Sequence, residues 1–303
     1  MVTLSVGQQE QWSSQTVQLG AAIALVSFVL FLLAEWGAED PIVPLRLFRI
    51  PDFSLAMLLT LYKSLARVGA GFLLPIFLQR VQGRGSMQIG LLLTLGPVIN
   101  TVLNPVVGYL TDRIGSRWLT VLGTLCLIYY LFDYSSIDGL SDVAFILYPQ
   151  IFRGVGISLI DTPVMTAGVN SVFREDTGNA SWMLNLSQRV GGAVAVTVIS
   201  SLLHRQKMIE QELVGGSAST NRFPSLALAQ RAMHSGFSPY AAKAASQAIL
   251  VGELGKAATT LAYQHMYLLC GIGMLSSLLP AYLLTVFKMP ARARASEGQV
   301  TVA

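Results

Sequence analysis

Four charged residues occupy places where charge is costly. Lys63, Arg67, Arg153 and Asp161 all lie inside long apolar stretches of the chain. Lys63 and Arg67 are one helical turn apart, so on a helix they share a face. A cation at the centre of a bilayer costs about 3 kcal/mol, and that face is expected to look into a cavity or find an anion. Asp161 is the single acidic residue of the 143–168 stretch, and a carboxylate inside a membrane carries function by default. The sequence admits two roles for it: an ion pair with Lys63 or Arg67 across a helix bundle, or a group that titrates as protons move. Arg153 lies two turns before Asp161, a helical rise of about 12 Å, which is too far for the two to pair on one helix.

The elements that hold these residues are written in the composition. Of 303 residues, 53% are hydrophobic and only 12% are charged, with a mean hydropathy of +0.57. A soluble domain carries about 25% charged residues. Apolar stretches near 17–36, 52–79, 88–110, 118–133, 143–168, 184–203 and 264–287 are expected to be helical spans. Most reach the roughly 20 residues that cross a bilayer. The chain is therefore expected to be an all-α integral membrane protein of about seven transmembrane helices, with the lipid bilayer as its principal partner. Its net charge of +4 follows from basic cytoplasmic loops and calls for no nucleic acid.

The turn Gly108-Tyr-Leu-Thr-Asp112-Arg113-Ile-Gly115-Ser-Arg117-Trp118 stands between two uncharged runs, 88–110 and 118–132. Glycine permits a tight turn, and arginines just outside lipid favour the cytoplasmic face. The same rule collects Arg46, Arg49, Arg113, Arg117, Arg174, Lys288, Arg292 and Arg294 on that face. Opposite them stand Arg80 and Arg84, with an acidic loop at Asp138 and Asp142. The expected topology has an external N-terminus and a cytoplasmic C-terminus. The polar segment 204–262 is expected outside as a partly helical loop, and its Ala-rich stretch 241–262 suits an amphipathic helix on the membrane surface.

Other chemistry is scarce. Cys126 and Cys270 fall inside expected spans as small apolar residues. His204, His234 and His265 are scattered, so no metal cluster, cofactor site or nucleophile–base pair is expected, and an enzyme is disfavoured. Lys288 stands only at the end of the last span, which argues against a retinal Schiff base.

The motifs together resemble the major facilitator superfamily, and within it the fourteen-helix drug:proton antiporters of the EmrB/QacA type. The elements Gly108, Leu110, Asp112, Arg113, Gly115 and Arg117 are similar to the superfamily's loop signature, which joins the second and third helices of a six-helix half. Glu39-Asp40-Pro41 through Leu45-Arg46-Leu47-Phe48-Arg49 resembles the segment before the carboxy-terminal half. Arg153-Gly154-Val155-Gly156 resembles an intramembrane element of the fourth helix. Asn185 with Gln188-Arg189-Val190-Gly191-Gly192-Ala193 resembles the entry to the fifth helix.

The resemblance implies a polar segment at 1–16, a linking helix and cytoplasmic connector at 17–50, a six-helix transporter half at 51–288, and a cytoplasmic tail at 289–303. It implies a cytoplasmic gate around Asp112 and a role for Arg153 in proton coupling. It implies close helix contacts at Gly154, Gly156, Gly191 and Gly192. The implied activity is proton-driven export of small molecules, lipophilic drugs among them, from the inner membrane. A proton gradient supplies the energy and no cofactor is needed. Export of an amino acid, sugar or siderophore, or a truncated membrane protein that transports nothing, are the alternatives. Because the resemblance covers only the carboxy-terminal portion of the family, the chain is expected to need an amino-terminal half that it lacks.

Overall fold

A computed structural model describes residues 44–220 and 239–284, together with eight residues between 19 and 33. Side chains are described to residue 209, and again over most of 252–284. Those eight residues, Leu19, Ala22, Ile23, Val26, Ser27, Val29, Leu30 and Leu33, are helical and exposed. The expected segments 1–16 and 289–303 lie outside the described residues.

Every regular element among the described residues is helical. After a 3₁₀ turn at Leu45–Arg49, α1 runs over Pro51–Arg80, opening with proline at a position where a missing N–H costs nothing. Then follow α2 (Ser86–Ile114), α3 (Ser116–Tyr134), α4 (Val143–Asn170), α5 (Thr177–Thr220), α6 (Pro239–Leu275) and the short α7 (Leu278–Leu283). Among the described residues five stretches are long and apolar enough to cross a membrane: α1, α2, α4, Arg174–Ile209 in α5, and Gly255–Leu283 across α6 and α7. The 19-residue α3 is not among them, although it spans the 118–133 run expected from sequence.

The segment 204–262 is shaped differently from the expected loop. Helix α5 continues without a break to Thr220, and α6 begins at Pro239. The stretch 241–262 is thus the leading part of α6 and runs without a break into the last span, and is not a separate helix. Tertiary contact explains this: Gln206 on α5 meets His265 on α6 at 3.1 Å, and Lys207 lies over the Tyr263 ring at 4.8 Å.

Packing follows a closed circuit. Helix α4 lies against α2, α3 and α1; α1 lies against α5; α5 meets α6; and α6 returns to α3. Tyr130, Tyr134, Tyr263, Tyr267 and Phe77 fill the middle of the core and are fully buried. Two of their hydroxyls bond carbonyls, Tyr134 to Ile146 O at 2.6 Å and Tyr267 to Ala70 O at 3.4 Å. Thr60, Ser64, Thr120 and Thr124 each donate to the carbonyl four residues back, which satisfies a hydroxyl where lipid offers no partner. Helix α2 is the least buried of the five spans, and Leu91, Val98, Val102 and Val106 form an exposed apolar face along it.

Candidate functional site

The helical ladder of α1 changes pitch in its middle. Leu65–Gly69 is a π turn between Pro51–Ser64 and Ala70–Arg80, a distortion often found at functional sites. Lys63 lies in the last turn of the first segment and Arg67 within the π turn itself. Both reach the same carboxylate on α4: Lys63 Nζ stands 2.6 Å from Asp161 Oδ1, and Arg67 Nη1 stands 2.9 Å from Oδ2. The arginine donates a well-directed hydrogen bond. The lysine pair is close but poorly aligned for one. The Lys63 side chain is only 5% exposed, whereas that of Arg67 is 38% exposed, so the cluster has a buried side and an open side.

Arg153 joins the cluster through the backbone. Its Nη2 donates to Arg67 O at 3.1 Å and its Nη1 to Gln150 Oε1 at 3.3 Å. Arg67 thus binds α4 twice, by its guanidinium to Asp161 and by its carbonyl to Arg153. The gap along α4 that separates Arg153 from Asp161 is bridged from the neighbouring helix. Glycine makes room for the guanidinium: a Cβ at Gly71 would stand 2.8 Å from Arg153 Nη2, and one at Gly96 would stand 3.3 Å from Nη1. Between α2 and α4, Asn100 Nδ2 donates to Ser158 Oγ at 2.9 Å, and that hydroxyl donates to Asn100 O at 3.0 Å.

The glycines singled out in the sequence lie at helix crossings. A methyl on Gly154 would stand 2.6 Å from Gly96 O, and one on Gly156 would stand 2.9 Å from Gly123 O. Gly191 and Gly192 face Leu61 and Val68 of α1, with a Cβ at 3.0 and 3.1 Å respectively. The partners Gly96 and Gly123 have no distinguishing sequence context, and neither does Gln150. Only the crossing shows their use.

The turn after α2 is built differently. Gly115 has φ +90°, a region that side chains with a Cβ avoid. Arg113 lies over the Tyr109 ring at 4.6 Å, and Arg117 over Tyr282 at 3.7 Å, so both arginines rest on aromatic faces. Asp112 is exposed, and among the described residues no hydrogen bond or ion pair joins it to Arg113, Arg117 or the start of α3. Gly108 approaches α4 at Thr162, with an added Cβ at 3.9 Å. At the same end of the bundle, Arg46 Nη2 meets Asp176 Oδ1 at 2.8 Å, tying the connector before α1 to the turn before α5.

Sequence comparison decides the kinship. Residues 7–196 match the Major Facilitator Superfamily. The chain belongs to that superfamily. It is a multi-pass membrane protein of a transporter family, not an enzyme. An uncharacterised transporter of this type from Bacillus subtilis, YhcA, is 26% identical over 72% of the chain and 41% of its own length. The lincomycin resistance protein LmrB of the same organism is 28% identical over 63% and 40%. The colistin resistance protein EmrB of Acinetobacter baumannii is 25% identical over 66% and 39%. The chain spans about two fifths of the length of these relatives.

Proposed function

We propose that this chain forms the carboxy-terminal part of a proton-coupled exporter of small lipophilic molecules, working by alternating access against an amino-terminal half. The observation that carries the reading is the Asp161 carboxylate clasped by Lys63 and Arg67 across the α1–α4 seam. One proton on Asp161 removes the charge that holds both cations. That weakens the tie between α4 and the π turn of α1 and leaves the fold elsewhere untouched. Release of the proton re-forms both pairs. A carboxylate whose charge controls the contact between two helices converts a proton gradient into relative motion of those helices. Arg153, which holds the carbonyl of the same turn, keeps the turn on α4 while Asp161 changes charge.

Resistance to lincomycin and to colistin, named for two relatives, supports a lipophilic or amphiphilic cargo. The short basic loops support a topology with Arg113 and Arg117 on the cytoplasmic face, the N-terminus outside and the C-terminus inside. There the exposed carboxylate of Asp112 is available to an opposing half, as a gate requires. The reading is tested in a pump-deleted host by dye efflux from cells that express the chain with its upstream coding sequence. Efflux abolished by a protonophore, and made insensitive to external pH by Asp161→Asn, is expected. Unchanged pH dependence in that variant removes Asp161 from coupling. Efflux by the 303-residue chain alone removes the need for a second half.

A further inference from the structure

Counting charge around the α1–α4 seam leaves an excess. Lys63, Arg67 and Arg153 contribute three positive charges against the single negative charge of Asp161. Every other Asp and Glu whose side chain is described stands in a loop, near a helix end or, for Glu253, before the membrane-length stretch of α6: Asp52, Asp112, Asp133, Asp138, Asp142, Glu175, Asp176 and Glu253. Among the described residues Arg153 has only neutral acceptors, a backbone carbonyl and the Gln150 amide, and its buried Nε has no partner there. Lys63 lies about 18 Å along α1 from Pro51, close to the middle of the span. Unbalanced cations at that depth are held at a cost that an incoming anion would relieve.

We infer that the Lys63–Arg67–Arg153 group is a binding site for the acid group of a lipophilic anion, a carboxylate on an alkyl or aryl body. This rests on the transport reading above and names its substrate class. The open side of the site is the Arg67 guanidinium, whose side chain is 38% exposed. Its planar fork matches a carboxylate better than a point charge would. The apolar body is required by depth: an anion without one does not leave water for the middle of a bilayer. A cationic amphiphile meets the reverse situation, since three positive side chains repel it and the one carboxylate is already engaged twice.

Three eight-carbon probes separate charge from lipophilicity: octanoate, octyltrimethylammonium and octanol. The full chain is reconstituted in phosphatidylcholine nanodiscs, and each probe is titrated calorimetrically against the same discs without protein. Octanoate is expected to bind saturably and at least tenfold tighter than the other two. Arg153→Gln and Arg67→Gln should each weaken it about tenfold. Asp161→Asn should tighten it, which a purely structural Asp161 or an unspecific apolar groove does not produce. Equal or tighter binding of the ammonium, or octanoate binding no greater than in empty discs, overturns the assignment. If Asp161→Asn fails to fold, the two arginine variants decide.

A second arm uses cells carrying the chain with its upstream coding sequence. Protection against octanoate and not against octyltrimethylammonium is expected. Protection against the ammonium alone overturns the anion site. Protection against neither overturns the transport reading and leaves the nanodisc result to judge the site.

Discussion

The turn at 108–118 and the cluster at Lys63, Arg67, Arg153 and Asp161 are both charged, but the structure treats them in opposite ways. At the turn, charges stay at the water-facing end, the arginines settle on aromatic rings, and Asp112 is left exposed. In the seam, four residues separated by up to 98 positions (161−63) converge within 3.3 Å contacts. The difference is the surrounding medium. Water satisfies a carboxylate wherever the backbone leaves it, so contacts at the turn are optional. Lipid satisfies none, so charges within the spans must find each other or remain costly.

That contrast breaks most visibly at Asp161. Asp161→Ala leaves Lys63 and Arg67 facing each other without an anion, and removal of one partner from a buried pair costs about 3–5 kcal/mol. A large fall in thermal unfolding midpoint in nanodiscs is expected, and Lys63→Met in the same chain should restore part of it. An Asp161→Ala chain as stable as the parent would show the seam to be as indifferent to charge as the turn.

The packing beside the cluster comes next. Gly154→Val drives a side chain into the Gly96 carbonyl, 2.6 Å from the Cβ position, and overpacking of this kind costs about 1–3 kcal/mol. The same substitution at Gly90, where nothing lies within 4 Å, is the control and should change the midpoint little. At the turn, Gly115→Ala meets only backbone strain at φ +90°, worth about 1–2 kcal/mol. Smallest of all, Asp112→Asn should alter the stability of this chain by less than about 0.5 kcal/mol. A larger loss would mean that the exposed carboxylate supports this fold and is not held in reserve for a partner.

How much of this was legible depended on distance along the chain. Helix positions, the glycine turn and the helix-shared face of Lys63 and Arg67 follow from local pattern, and the structure has helices α1, α2, α3 and α4 within a few residues of the expected stretches. The extent of α5 and α6 was not legible. Their polar flanks 204–220 and 239–262 look like a loop until they are placed side by side, where Gln206, Lys207, Tyr263 and His265 meet. Asp161 could be marked as costly and in need of a partner, but Lys63 and Arg67 remained equal candidates. The structure uses both, because the two share a face of α1 and each meets a different oxygen of the Asp161 carboxylate.

By itself the sequence determined that this chain lives in a membrane, where its helices begin and turn, and which residues carry unaffordable charge. Those properties are set by hydropathy and by glycine and proline, which act within one or two helical turns. Tertiary structure alone decided which charges meet and which glycines touch. It also decided that two cations share one carboxylate, since these depend on the rotation and depth at which α1 and α4 cross.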